Sequence, residues 1–96
     1  MKIELSCRDN DSYEREIDVY ALYFDPQNKT FSMSYCMGDC WGLEMKCPLA
    51  TSPISCEFQA GQATIRFERQ DEAEAFAAWL IEGEEMVREG FRTMRG

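Results

Sequence analysis

The chain predicts an α+β domain: an antiparallel β-meander of five or six strands, curled into a sheet or partial barrel, with one C-terminal α-helix packed on it. Three observations carry this. Apolar residues alternate with period two through about residues 2–69. The alternating segments are separated by short turn clusters. From Asp71 the period changes to 3.6 and holds to about residue 94. With 96 residues the chain makes a single domain, 1–96, because halves would fall below the size at which a core sustains itself.

Lys2–Arg8 places Ile3, Leu5 and Cys7 on one face. The turn Asp9-Asn10-Asp11-Ser12 follows, rich in side chains that bond their own backbone. Glu14–Phe24 reads as one longer strand with Ile17, Val19, Ala21 and Tyr23 on one face; Tyr20, Leu22 and Phe24 suggest a second half covered on both sides. Asp25-Pro26-Gln27-Asn28-Lys29 is the strongest turn, since Pro26 presets φ and Asn28 tolerates the left-handed region. Thr30–Met37 points Phe31, Met33, Tyr35 and Met37 inward. Gly38-Asp39-Cys40-Trp41-Gly42 interrupts it. Leu43–Cys47 resumes with Leu43, Met45 and Cys47 inward. Pro48 and Pro53 bracket a connection or edge segment. Ile54–Phe58 and Ala63–Arg69 form a hairpin about Gly61, with Ile54, Cys56 and Phe58 on one face and Ala63, Ile65 and Phe67 inward.

In the helix, Ala73, Phe76, Leu80, Val87, Phe91 and Met94 share a stripe. Gly83 and Gly90 lie on it too, each costing about 1 kcal/mol of helix propensity. Their presence implies either close backbone approach to the sheet or a helix that ends near Gly83 and restarts. Asp71 is the expected N-cap, and Arg92 and Arg95 suit the C-terminal end.

The charge balance restricts function. Ten Lys and Arg stand against eighteen Asp and Glu, a net charge of −8. Direct nucleic-acid binding and docking on anionic lipid are therefore disfavoured. No apolar run reaches the roughly 18 residues of a membrane helix. The start, Met1-Lys2-Ile3-Glu4-Leu5, has no secretory h-region, so a cytoplasmic setting is expected, or the host cytoplasm for a phage-encoded chain. Histidine is absent, which removes Ser-His, Cys-His and His-metal arrangements. Catalysis by Asp and Glu would need a convergent pair, and the pattern sets the acids on outer faces. The chain is expected not to be an enzyme and to need no cofactor.

Cys7, Cys36, Cys40, Cys47 and Cys56 are odd in number and read as reduced thiols, with Cys7, Cys47 and Cys56 buried. Cys36-x3-Cys40-x6-Cys47-x8-Cys56 has the ligand count of a zinc site. Its alternation points Cys36 outward and Cys47 and Cys56 inward, so no metal is expected. A Cys36–Cys40 redox pair lacks the C-x-x-C spacing. Asp9-Asn10-Asp11-x-x-Glu14 begins like a calcium loop, but Glu14 stands where Gly is required and Tyr20 where Glu is required. Trp41, in a hairpin tip, is either a binding anchor or a lid on the core.

The helix carries the pattern with most functional content. Asp71, Glu74, Ala78, Glu82, Glu85 and Glu89 follow steps of three and four opposite the apolar stripe. Asp71 to Glu89 holds seven acids and one Arg, concentrating most of the chain's charge. The ordinary reading is a solvated face that keeps the domain dispersed. The functional reading is a carboxylate row that mimics phosphates and engages Arg forks in a basic groove. Candidate partner-binding residues are Asp71, Glu74, Glu82, Glu85 and Glu89 on the helix, Trp41, and Asp9 and Asp11 in the first turn.

Two resemblances follow. Phe67, the acids after it and Phe76-Ala77-Ala78-Trp79-Leu80 resemble the last strand and helix of a pleckstrin-homology-like fold, over about a quarter of the chain. In build, as a small acidic domain without a catalytic signature, the chain resembles phage-encoded inhibitors of the anti-CRISPR type. That resemblance implies a protein partner with a basic surface, in a nucleic-acid-binding complex, blocked by protein–protein interaction. The alternatives are a small-ligand or cysteine-based metal-binding domain using the sheet mouth and Trp41, and a toxin-neutralising immunity protein.

Overall fold

The computed structural model describes residues 1–19, 21–37, 41–49 and 52–95, with backbone alone for 34–37, 41–44, 87, 88 and 90–95. Seven strands precede one helix: β1 (Lys2–Cys7), β2 (Glu14–Asp18), β3 (Tyr23–Asp25), β4 (Thr30–Met37), β5 (Trp41–Pro48), β6 (Ser55–Gln59), β7 (Gln62–Phe67) and α1 (Gln70–Arg95). They form two sheets, ordered β2-β1-β7-β6 and β3-β4-β5.

The central pair of the larger sheet is parallel. Ile3 lies opposite Ala63, Leu5 opposite Ile65 and Cys7 opposite Phe67. These six side chains are at most 2% exposed and form the floor of the core. The arrangement therefore departs from a simple meander. Parallel neighbours need a crossover, and everything from β2 to β6 supplies it. Neither sheet closes into a barrel. β2 joins β1 antiparallel with Ile17 opposite Ile3, and β6 joins β7 through a tight turn whose Gly61 has φ 75°.

The expected strand Glu14–Phe24 is two strands in different sheets. β2 ends at Asp18, and the Val19 N–H donates to the Met1 carbonyl at 2.8 Å. Val19 and Leu22 are both buried, a spacing of three that breaks the period of two. The phase change leaves Tyr23, expected on the same face as Val19, 58% exposed, and turns Leu22 into the core. Phe24 then packs on Phe31 with ring centroids 4.5 Å apart. In β6, Phe58, on the expected face of Ile54 and Cys56, is 43% exposed, because α1 lies over β1, β2, β7 and β5 and leaves this edge strand less covered.

α1 runs unbroken through Gly83 and Gly90. Ala73, Phe76, Ala77 and Leu80 are buried, and the Phe76 ring meets Phe31, Phe67 and Trp79 at centroid distances of 4.7, 5.4 and 5.5 Å. Phe76 thus joins both sheets to the helix. Gly83 is a close approach: a Cβ there would fall on the Met33 terminal methyl and lie 3.4 Å from the Met45 sulfur. Of the two readings of this glycine, close packing on the sheet is the observed one.

Candidate functional site

The start of the helix is held from the other end of the chain. The Asp9 carboxylate accepts the Gln70 backbone N–H at 2.9 Å, and the Asn10 amide donates to the Gln70 side-chain oxygen at 2.8 Å. The first turn thereby satisfies a donor that a helix leaves open, and places a negative charge at its positive end. The capping role expected of Asp71 falls to Asp9. Asp71 instead receives the Arg69 guanidinium, Nε at 3.1 Å and Nη2 at 3.0 Å, and the Glu72 N–H at 2.8 Å.

From this anchor the acidic row extends along the solvent side of α1. Asp71, Glu74, Ala78, Glu82, Glu85 and Glu89 are all exposed, while Ala73, Phe76, Ala77, Leu80 and Gly83 are buried on the opposite side. At 1.5 Å rise per residue the row is about 27 Å long. Its N-terminal end is partly engaged, since Glu74 accepts the Gln70 side-chain amide at 2.9 Å and Asp71 holds Arg69. Glu82 and Glu85 occupy the middle. Beside them stand Ile81 and Met86, 36% and 44% exposed, one on each flank. Neither belongs to the apolar stripe or to the acidic row that helical spacing defines. Their positions off the buried stripe are the signal that finds them.

The remaining candidates lie elsewhere. Asp9 is buttressed against the helix start, as above. Asp11 accepts Arg66 Nη2 at 3.4 Å on the outer face of the larger sheet. Trp41 begins β5, its backbone paired with Met37, so it belongs to the strand and not to the tip; its side chain is outside the described set. Residues 38–40, with Cys40, are likewise outside it.

Among the described residues of the larger sheet, Lys2 pairs with Glu16 and Arg8 with Glu68, each at 3.5 Å. On the helix row, Asp71 is paired with Arg69 at 3.0 Å. Among the described residues, no group of three or more His, Cys, Asp or Glu side chains could hold a metal ion, and no helix is long and apolar enough to cross a membrane.

Cys7 is buried in the core and Cys47 and Cys56 are half-buried, less than the full burial expected of the latter two. Burial raises all three thiols, Cys56 to about 11. Such thiols stay protonated and pack as small apolar groups. A cleft of about 530 Å³ opens beside Cys47, between the end of β5, the end of β7 and the first turns of α1.

No family model, curated protein or solved structure matches this chain.

Proposed function

We propose that the chain is a non-enzymatic protein-binding inhibitor whose acidic helix face occupies a basic, nucleic-acid-binding site on a partner protein. The observation that supports this most directly is the row Asp71, Glu74, Glu82, Glu85 and Glu89, exposed along a helix whose other side is fixed to the core. A rigid backing lets carboxylates present a fixed spacing to arginine forks without ordering cost at binding. Ile81 and Met86 add apolar contact on either side of the charged centre. The absence of histidine from the sequence and the outward setting of the acids support a role without catalysis.

The test is charge reversal. The variant Glu82→Lys/Glu85→Lys/Glu89→Lys, compared with the parent in capture from bacterial lysate followed by mass spectrometry, is expected to lose the captured partner. The parent is expected to compete with nucleic acid for that partner, and to do so less well at high salt, since exposed charges are screened beyond roughly 8 Å at physiological ionic strength. Equal capture by the triple variant, or capture without competition, overturns the reading.

A further inference from the structure

We infer that strand β6 is a pairing edge through which two copies of the chain join antiparallel, about a two-fold axis at Cys56. The two sheets have four edges, β2, β6, β3 and β5. An edge strand presents unpaired backbone groups, and proteins blunt it with charge, brevity, proline or a covering element. Three of these edges are blunted in that way. β2 is charged at four of its five positions, Glu14, Arg15, Glu16 and Asp18. β3 has three residues. β5 carries Glu44 and Lys46, ends at Pro48 and packs against α1. β6 has Glu57 as its one charge and no proline. Phe58 is 43% exposed on it, on the face that the half-buried Ile54 and Cys56 share.

Backbone direction fixes how the pair forms. The Gly61 and Phe67 carbonyls accept from Lys2 and Arg8, so the alternation of a strand turns those of Gln62, Thr64 and Arg66 toward β6. The Arg66 carbonyl there accepts the Ile54 N–H at 2.8 Å. Gln59, Glu57 and Ser55, opposite these three, are spent on that ladder. Cys56 and Phe58 therefore turn N–H and C=O to the open side, where no described residue bonds them. A second β6 laid antiparallel with Cys56 opposite Cys56 lets the two exchange both hydrogen bonds at the centre. Phe58 then falls beside the partner's Ile54, and the apolar face runs on across both subunits. Glu57 meets the partner's Ser55 and, one strand further, the partner's Arg66, which holds Asp11 at 3.4 Å within its own chain. Centring the pair on Glu57 would set two carboxylates opposite each other at the closest cross-strand spacing. Centring it on Phe58 would bring Cys56 against the partner's Ala60, inside the β6–β7 turn. The strand is thus complementary to itself in one register, which makes the occupant a second copy.

The test combines sedimentation equilibrium with NMR of the full chain. A reversible dimer is expected, tightening as salt rises, because two chains of net charge −8 repel and salt screens them. Capture of a basic partner weakens under the same change. In a mixture of labelled and unlabelled copies, an intermolecular Hα–Hα contact between Ser55 and Glu57 is expected, the close pair that flanks Cys56 in this register. Cys56→Pro removes the central donor and spares the ladder to β7. Phe58→Lys keeps every backbone donor and sets an inward-pointing charge on the edge. Each is expected to weaken association by about tenfold or more, with the amide shifts of β1 and β7 retained; if the proline variant does not fold, the lysine variant decides. A monomer at every concentration and salt, a dimer whose intermolecular contacts omit β6, or a dimer as tight in Phe58→Lys as in the parent would overturn the inference. So would a monomer whose β6 pairs only with extended peptides of other sequence. None of these changes touches the Glu82–Glu85–Glu89 row, so the pairing edge and the inhibitory face stand or fall separately.

Discussion

The two sides of α1 are made from the same 26 residues and obey opposite rules. On the inner side, Phe76 touches three other rings and Leu80 is wholly buried, so each atom has many neighbours. On the outer side, Glu82 and Glu85 are exposed. Fixed packing makes the inner side sensitive to a single methyl group; solvation makes the outer side tolerant even of charge reversal. One side determines whether the helix is held, and the other is open to interaction because the first holds it.

The largest expected effect is on the inner side. Phe76→Ala is expected to cost about 3–5 kcal/mol and Leu80→Ala about 2–5 kcal/mol in urea unfolding. Losses near zero at both would show that the stripe does not carry the packing. Asp9→Ala is expected to cost about 1 kcal/mol, the range of a lost cap, with Asp9→Asn retaining most of it. Gly83→Ala is subtler. The new methyl collides with the flexible end of Met33, while helix propensity gains about 1 kcal/mol. A cycle with Met33→Ala is therefore expected to show a coupling of about 0.5 kcal/mol or more. An additive cycle would break the close-packing account of this glycine.

Smallest of all in stability are Glu82→Lys, Glu85→Lys and Glu89→Lys, each expected within about ±0.5 kcal/mol. They would sharpen the comparison if binding alone responds.

The half-buried Cys56 thiol adds a pH test. Cys56 ionises at about 11 when folded against an ordinary value of 9.0. The unfolded chain therefore releases its proton first as pH rises, so the contribution is complete below pH 9 and is lost on the way to about 11. The melting temperature is expected to fall over that window, and to fall less in Cys56→Val. An unchanged slope would mean that the thiol is not desolvated.

What the sequence reveals depends on how local the determining contacts are. The alternation in β1, β4 and β7 and the stripe of α1 are local patterns, and among the described side chains each appears where its spacing places it, through Phe31 and Met33 in β4 and through Ala73, Phe76 and Leu80 in α1; Tyr35, Met37, Val87, Phe91 and Met94 lie outside the described side chains. The split at Val19–Leu22 is invisible to period counting, because Ile17, Val19, Ala21 and Tyr23 keep a period of two across it and the chain changes sheets without a Gly or Pro between them. The parallel pairing of β1 with β7 has no local signature either. Phe58 satisfies the alternation and still stays partly uncovered, since coverage depends on where the helix lies across the sheet. At the candidate site the acidic row reads directly from helical spacing. The engagement of Asp9 with Gln70, and of Asp71 with Arg69, requires knowing which turn meets which.

The bond from Asp9 to Gln70 and the pairing of residues 2–7 with 62–67 also set an order of events during synthesis. Hairpin β4–β5 joins neighbours in sequence and can form once those residues have emerged from the ribosome. The central pair cannot close until β7 has been made, by which time roughly two-thirds of the chain is exposed. Contacts of such separation close slowly. At about 5–20 residues per second, β1 waits several seconds for its parallel neighbour, with Ile3 and Leu5 lacking that half of their cover. A nascent chain stalled before residue 62 would hold a preformed second sheet and an incomplete first one, and would be the species most exposed to proteases and chaperones.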